Sequence, residues 1–294
     1  MRHVLTLIAD RTATTLSPAV IARVRDAAGG GEPVLLSPGE AAEIRLDAAP
    51  DMAAIQASID GAAIDAIATA AAHRRRQLLI ADMDSTIVTG ETLDELADFA
   101  GLKARIAAIT ARAMNGELDF KAALRERVAM LRGLPIDALE RTWQRVRLTP
   151  GARELVMTMR AHGAYAALVS GGFSFFTARV AAACGFDLHR SNVLLHDGAA
   201  LLGRVAEPIL DRDTKLATLT SLAAERGLAL AATLAVGDGA NDLDMLQAAG
   251  LGVAFHAKPV VAAIARARVD HANLRALLFA QGYRAEEIVG EAGN

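Results

Sequence analysis

Short apolar runs and helical patterns alternate along the first 72 residues of the chain. Apolar runs predict strands, and apolar positions spaced three to four residues apart predict helices. Strands are expected at residues 3–9, 34–36, 42–46 and 64–69, and helices at 18–28 and 51–59. This βαββαβ order predicts a small α+β domain of ferredoxin-like type over residues 1–72.

After residue 77, three apolar runs each end in a turn rich in aspartate or glycine. Residues 78–81 lead into Asp-Met-Asp-Ser-Thr, 165–169 into Ser-Gly-Gly, and 232–236 into Gly-Asp-Gly-Ala-Asn-Asp. Short apolar strands separated by helices predict an α/β core, a doubly wound, Rossmann-like parallel sheet over residues 77–294. Because ligands of such sheets bind beyond the carboxyl ends of the strands, the three turns should form one site.

A long helical segment interrupts this core between the first and second strand ends. Residues 92–148 contain three apolar-periodic stretches separated by glycine and proline breaks. The pattern predicts a helical cap that is inserted within the core and covers the site. Residues 193–206 add a predicted antiparallel hairpin with an Asp-Gly turn.

Composition and charge narrow the class of protein. Hydrophobic residues make up 53% of the chain, which argues against disorder, and a net charge of −3 argues against a nucleic-acid partner. The basic segment 73–76 is expected to be a solvated linker. No apolar run approaches the roughly 18 residues of a membrane span, and the first run is too short for a signal peptide. With Cys184 as its single cysteine, the chain is expected to be cytoplasmic, without a membrane partner.

The chemistry of the predicted site begins with its carboxylates. Asp82 and Asp84 alone would be typical of a solvated turn. The second acidic turn, with Asp238 and Asp242, brings three or four carboxylates together without cysteine or histidine. An all-oxygen site of this kind favours Mg²⁺ over a transition metal.

Donor groups must balance these acids if the site is to accept an anion. Ser170, Gly171 and Gly172 are expected to open a helix and form an anion-binding nest. Lys215 begins another helical pattern, where a lysine by itself is usually an ordinary surface residue. With a metal, these groups supply the charge balance that phosphoryl transfer requires.

The motif set, with a helical cap between its first two members, resembles the haloacid dehalogenase-like phosphatases. Within them it is most similar to the phosphoserine phosphatases, through IADMDSTIVTGETLDELA at residues 80–97 and AMNGELDFKAALRERV at 113–128. The resemblance covers about residues 77–275. The first 72 residues resemble ACT-type domains that bind amino acids, although a structural or dimerising module without a ligand is an equal alternative.

The resemblance implies a role for each acid. Asp82 would be the nucleophile that forms an aspartyl-phosphate, and Asp84 would act as general acid and then as general base. Mg²⁺ would be held by the Asp82 carboxylate, the main-chain carbonyl of Asp84, and Asp238. Ser170, Gly171, Lys215 and Asn241 would bind the phosphate, with Asp242 helping to orient it.

Substrate identity is expected to depend on the cap. On the predicted helix from residue 120, Arg127 falls in the apolar stripe, whereas Arg125 points away. An inward-facing arginine indicates either a structural ion pair or a grip on a substrate carboxylate. The resemblance implies the second role for Arg127, binding of the substrate amino group for Glu91, and closure of the site for Met114.

The predicted function is Mg²⁺-dependent hydrolysis of O-phospho-L-serine, the last step of serine biosynthesis. Ala123 and Leu216 depart from the family, which usually has serine and glycine there. Ala123 removes a polar contact near the substrate, so phosphohomoserine and phosphothreonine are alternative substrates, whereas Leu216 bears on loop geometry. A phosphoryl-accepting signalling module is less favoured, because Asp84 and the cap suit turnover. A purely regulatory amino-acid-binding protein would be supported by residues 1–72 alone. Serine as a regulator and a homodimer are further hypotheses for that unit.

Overall fold

The computed structural model describes residues 2–114 and 117–290, except for the side chain of Met114. The N-terminal part consists of a four-stranded antiparallel sheet with two helices. Its elements are β1 (His3–Ala9), α1 (Pro18–Ala28), β2 (Val34–Ser37), β3 (Ala41–Leu46), α2 (Met52–Ile59) and β4 (Ile64–Ala70). This is the predicted βαββαβ order, and the strands lie in the order β2-β3-β1-β4.

A second, six-stranded sheet forms the core, and all of its strand pairs are parallel. Its strands are β5 (Leu78–Ala81), β6 (Tyr165–Phe173), β7 (Leu188–Asn192), β10 (Thr233–Gly237), β11 (Leu251–Phe255) and β12 (Ala267–Val269). The order is β12-β11-β10-β5-β6-β7. The chain winds outward in both directions from β5, so the doubly wound prediction is confirmed and β5 lies beside the switch point.

Helices cover both faces of this sheet, which explains why β5 is apolar at all four positions. One face packs against α7 (Ala152–Ala161), α8 (Ser174–Cys184) and α12 (Ala276–Ala280). The other packs against α9 (Arg212–Glu225), α10 (Leu243–Ala248) and α11 (Pro259–Ala262). Among the described residues, no helix has both the length and the apolar composition needed to cross a membrane.

In its described part, segment 92–148, for which the sequence predicts a cap, contains four helices and is called the cap below. They are α3 (Thr92–Asp98), α4 (Lys103–Met114), α5 (Phe120–Ala129) and α6 (Asp137–Trp143). The predicted hairpin is present as β8 (Leu194–His196) and β9 (Leu201–Val205), and β9 packs beside α5. The two segments that connect the cap to the core are joined by backbone hydrogen bonds, including one from Thr89 N–H to the Arg147 carbonyl at 3.0 Å.

The basic segment 73–76 is only partly solvated: His73 and Arg75 are exposed, as expected of a linker, whereas Arg74 is half-buried and Arg76 is buried. Arg76 is buried, and its backbone N–H donates to Gln281. Arg74 donates to Glu43 of the N-terminal sheet at 2.7 Å, and the Arg75 guanidinium lies over the Tyr283 ring. Because arginine stems pack against apolar surface while the guanidinium finds acceptors, a basic run can serve as an interface.

Cys184 lies inside helix α8 and is fully buried. Burial raises the pKa of its thiol to about 12, so almost no thiolate forms at neutral pH. We expect the native protein to resist a thiol-specific reagent at pH 8, and the protein in denaturant to react at once with one equivalent. Rapid labelling under native conditions would contradict the buried placement.

Candidate active site

The three polar turns meet at the carboxyl end of the central strands. β5 lies between β10 and β6, so the residues that follow them are neighbours in space. The cavity above them measures about 390 Å³ including its open mouth. Seven of the predicted site residues line it together with apolar cap and core residues: Asp82, Asp84, Glu91, Arg127, Ser170, Gly171 and Asn241. Asp238 and Lys215 are buried beside Asp82.

Asp82 is held at the end of β5 by a buried ion pair. Its Oδ1 lies 2.6 Å from Nζ of Lys215, and its backbone N–H donates to Val236 on β10. Burial raises the pKa of the Asp82 carboxyl to about 7, against the opposing attraction of Lys215. Asp82 is therefore a fixed carboxylate whose charge depends on a neighbouring cation.

Lys215 bridges two carboxylates. Its Nζ lies 2.6 Å from Asp82 Oδ1 and 2.6 Å from Asp242 Oδ1, and the side chain is only 2% exposed. Burial works to lower the pKa of the ammonium, but the attraction of Asp242 and Asp82 outweighs it, and the pKa lies above its usual value. Lys215 is positioned in the first turn of α9, which begins with a capping box at Asp211.

Asp238 provides the strongest indication of a metal. One carboxylate oxygen accepts from Thr86 at 3.1 Å, whereas Oδ2 is buried and has no hydrogen-bond partner among the described residues; Nζ of Lys258 lies 3.9 Å from it. Burial, reinforced by Asp82, raises the pKa of Asp238 well above its usual value. Carboxylate oxygens of Asp82, Asp238 and Asp242 lie within 4.8 Å of one another. This oxygen-only cluster with an unsatisfied oxygen fits a hard divalent cation.

Within this cluster, Asp242 already has partners for both of its oxygens. Oδ1 accepts from Lys215, and Oδ2 accepts from the backbone N–H of Gly239 at 3.0 Å. A Cβ on Gly237 would lie 2.3 Å from Asp242 Cγ, so glycine is required there. Asp242 therefore fixes Lys215 and the turn, consistent with its expected orienting role.

The Asp84 side chain points away from the carboxylate cluster, toward the cap. Its Oδ1 accepts from the backbone N–H of Thr92, at the start of α3, at 2.8 Å, and its Oδ2 lies 3.5 Å from Ser170 Oγ. Burial, with a further contribution from Glu91, raises the pKa of Asp84 to about 8. The two aspartates thus have different surroundings, and Asp84 is suited to carry a proton at neutral pH.

The segment from Ser170 to Gly172 continues strand β6, and α8 begins only at Ser174, so the prediction that Ser170 opens a helix is wrong. The strand continues because Asn192 on β7 donates from Nδ2 to the Gly171 carbonyl at 2.8 Å. The glycines leave room for neighbours: a Cβ at Gly171 would lie 2.6 Å from Phe120 Cζ.

Arg127 is buried in the cap and lines the cavity, as its inward-facing position predicts, while Arg125 is exposed and paired with Glu207. Its Nη1 donates to Thr110 at 2.9 Å and its Nε to the Ala123 carbonyl at 3.2 Å. It forms no ion pair with any described residue, so the structural ion pair considered as an alternative is not found there.

Glu91 precedes α3 and accepts from the Ser85 hydroxyl at 2.7 Å. It lines the same cavity as Arg127, which places one cap anion and one cap cation above the strand ends. Asn241 also lines the cavity, and its Oδ1 is buried without a partner among the described residues. The expected role of Met114 lies outside the part of the chain whose side chains are described.

Sequence reasoning missed three buried side chains that hold the site residues: Thr86 on Asp238, Asn192 on Gly171, and Thr110 on Arg127. Thr86 lies within the Asp-Met-Asp-Ser-Thr motif, so its position was a usable signal. Asn192 and Thr110 are 21 and 17 residues from their partners, and no local pattern marks them.

Comparison with known proteins gives consistent results. The family model for haloacid dehalogenase-like hydrolases matches residues 79–247. A phosphoserine phosphatase of Streptomyces coelicolor is 44% identical over 224 residues, which are 76% of this chain and 55% of that protein. One of Streptococcus thermophilus is 43% identical over 216 residues, 74% of this chain and 97% of that protein.

A solved structure described as a phospho-aspartyl intermediate analogue of phosphoserine phosphatase is also similar. It has a TM-score of 0.66 and 38% identity over 70% of this chain and 98% of its own. This chain spans little more than half the length of the Streptomyces protein, 55%. The matched residues include all three strand ends and the inserted cap. The chain therefore belongs to the haloacid dehalogenase-like hydrolases.

Proposed function

We propose that the chain is a phosphoserine phosphatase, which hydrolyses O-phospho-L-serine to L-serine and phosphate as the last step of serine biosynthesis. One observation carries the proposal: a single cavity is lined both by the aspartate pair Asp82 and Asp84 and by the buried guanidinium of Arg127, which forms no direct ion pair with a described carboxylate. The aspartate pair suits phosphoryl transfer, and the guanidinium suits a substrate carboxylate. The names of the similar proteins support the same substrate.

Asp82 is the proposed nucleophile. Its carboxylate oxygen forms a bond to phosphorus while the bond from phosphorus to the serine oxygen breaks, which leaves an aspartyl-phosphate. Lys215 favours the ionised form of the carboxylate, against the effect of burial, and fixes its orientation through the 2.6 Å contact. An ionised, immobile carboxylate needs no base to activate it.

Asp84 is the proposed general acid and base. In its protonated form, favoured by the raised pKa, it gives a proton to the leaving serine oxygen. The resulting carboxylate then takes a proton from water, whose oxygen attacks phosphorus and releases phosphate and Asp82. The hydrogen bond from Thr92 at 2.8 Å holds the carboxyl in place through both steps.

The acids around Asp82 are proposed to hold Mg²⁺. The carboxylates of Asp82 and Asp238 and the main-chain carbonyl of Asp84 would be its protein ligands, and the buried Asp238 Oδ2, which accepts no hydrogen bond from a described residue, supports this assignment. When bound, the cation would screen the charge repulsion between these carboxylates and the phosphate. Thr86 orients Asp238 by donating to its other oxygen.

The remaining groups at the strand ends are proposed to bind the phosphate. Ser170 and Gly171 offer a hydroxyl and a backbone N–H, and Asn241, which lines the same cavity, offers a side-chain amide. Lys215 supplies positive charge beside Asp82. These donors compensate the negative charge that the phosphate brings to an acidic site.

At the other end of the cavity, Arg127 would bind the substrate carboxylate and Glu91 the amino group. Replacing Arg127 by alanine is expected to raise KM for phosphoserine by about 30-fold, since a charge-assisted pair is lost. KM for O-phosphoethanolamine, which lacks the carboxylate, should change less than about threefold. Steady-state kinetics on both substrates measure the difference.

Arg125 provides a matched control for this substitution. It lies on the same helix, but it is exposed and paired with Glu207, so Arg125→Ala should leave both KM values unchanged. Equal losses on both substrates in Arg127→Ala would instead indicate that the arginine only supports the cap.

A substrate panel tests the proposed function itself. Phosphate release is measured from phosphoserine, phosphothreonine, phosphohomoserine and an aryl phosphate, with Mg²⁺ and with a chelator. We expect phosphoserine to give the highest kcat/KM, and the chelator to abolish turnover reversibly. A preference for phosphohomoserine or phosphothreonine would assign the related substrate that Ala123 leaves open, and turnover that resists chelation would overturn the metal assignment.

The division into domains is also a proposal. Residues 1–72 would form an ACT-like regulatory or dimerisation unit, residues 77–294 the phosphatase core, and residues 92–148 its cap, in a cytoplasmic protein. The four-stranded sheet and its order are compatible with such a unit. Serine as a regulator and a homodimer remain hypotheses for this unit.

A further inference from the structure

Thr110 lies between a buried carboxylate and the buried guanidinium of Arg127. Its hydroxyl oxygen is 2.8 Å from Oδ1 of Asp94 and 2.9 Å from Nη1 of Arg127. All three side chains are buried, and they come from three different cap helices, α3, α4 and α5. A series of hydrogen bonds therefore connects the Asp94 carboxylate to the Arg127 guanidinium through one neutral hydroxyl.

The hydrogen-bonding capacity of a hydroxyl determines which group donates in each of these hydrogen bonds. Threonine has one donor hydrogen and two acceptor lone pairs. Arg127 can only donate, so Oγ1 of Thr110 accepts from it, and the single hydrogen remains for an acceptor. Asp94 at 2.8 Å is nearer than the threonine's own helical carbonyl, Ile106 O, at 3.1 Å. Arg127 therefore donates to Thr110, and Thr110 donates to Asp94.

This arrangement orients the guanidinium without a direct ion pair to a described carboxylate. Nη1 and Nε of Arg127 donate to Thr110 and to the Ala123 carbonyl, whereas Nη2 has no partner among the described residues. Arg127 also lines the cavity. A direct pair with Asp94 would occupy two adjacent donors, which is the edge a substrate carboxylate needs.

We propose that Thr110 is a positioning residue for substrate recognition, with Asp94 as its anchor. Thr110 holds Arg127 so that its unpaired donors face the cavity, and the interposed hydroxyl keeps Asp94 from competing with the substrate carboxylate. The inference rests on the proposed function, because it assumes that the ligand of Arg127 is a carboxylate on a phosphomonoester.

The test compares two substrates in Thr110→Val, which preserves the shape of the side chain and removes the hydroxyl. We expect KM for phosphoserine to rise about tenfold with kcat changed less than about twofold, and kcat/KM for O-phosphoethanolamine to change less than about twofold. Thr110→Ser restores the hydroxyl and should return KM for phosphoserine to within about threefold of the unsubstituted protein. A merely structural threonine would affect both substrates alike.

Thr142 is the matched control. It is fully buried in cap helix α6, and its hydroxyl donates only to its own helix, at Ala138 O. Thr142→Val should leave the ratio of the two kcat/KM values unchanged. A double variant tests whether Thr110 acts through Arg127. In an Arg127→Ala background, Thr110→Val should cause no further change in KM for phosphoserine.

The outcomes separate this inference from the function beneath it. If the unsubstituted protein does not prefer phosphoserine to O-phosphoethanolamine, the proposed function fails. If it does, and Thr110→Val lowers kcat/KM equally for both substrates or for neither, only the role of Thr110 is overturned. Should Thr110→Val not fold, Asp94→Asn is the second variant: a selective rise in KM for phosphoserine supports the inference, and an unselective or absent change rejects it.

Discussion

Replacing Asp82 by asparagine is expected to lower phosphate release from phosphoserine by at least about a thousand-fold, because an amide oxygen does not form the aspartyl-phosphate. The substitution is nearly isosteric and retains an oxygen acceptor for Lys215, so cavity shape should be preserved. Initial rates with saturating phosphoserine and Mg²⁺ measure the loss. A residual rate within tenfold of the unsubstituted protein would exclude Asp82 as the nucleophile.

The same variant should fold at least as stably in the metal-free protein. Burial raises the pKa of Asp82 to about 7, so the folded state disfavours its charged form. Such a carboxyl contributes its stability below the unfolded pKa and loses it as pH rises through the folded pKa. A neutral amide avoids that loss, and the thermal midpoint at pH 8 should not fall. Asp213→Asn, an exposed acid near Lys215 in sequence, is the control for both measurements.

The sequence was sufficient to predict the strand ends. β5 and β10 each end where a continuous apolar run meets aspartate or glycine, and a strand buried on both faces requires such a run. Three of the four helices in segment 92–148 were predictable from local apolar periodicity, namely α3, α5 and α6, but α4 (Lys103–Met114) was not among the predicted stretches. Arg127 could be placed because one charge in an apolar stripe contradicts the pattern around it.

Features that depend on distant partners could not be predicted. The glycines after Ser170 favour a helix start locally, but Asn192 on the next strand holds them extended. Arg76 has the sequence context of a polar linker, yet it is buried and its backbone N–H donates to Gln281. Asp94 has the position of an ordinary first-turn acid, and only α4 supplies its threonine. A single sequence contains no signal for such pairings.

Lys215→Met should reduce activity and stability together. The ammonium is the shared partner of two buried carboxylates, Asp82 and Asp242, at 2.6 Å each. Removing one partner of a buried pair leaves uncompensated charge, which costs about 3–5 kcal/mol of unfolding free energy. The rate of phosphate release should fall at least about a hundred-fold, since the nucleophile loses its cation and the phosphate a positive charge. Methionine fills a similar volume, so the effect is one of charge.

The pH dependence of this loss distinguishes charge from packing. Without Lys215, the attraction that lowers the pKa of Asp82 disappears, so its folded pKa should rise further above the unfolded value. The repulsion between the carboxylates is then present at pH 8 and relieved as they become protonated at lower pH. Urea unfolding should show a smaller difference from the unsubstituted protein at pH 5 than at pH 8. Lys103→Met is the control. Lys103 is exposed beside Glu95, so this substitution should change the free energy of unfolding by less than about 1 kcal/mol. An equal deficit at both pH values would instead assign the loss to packing around the lysine stem.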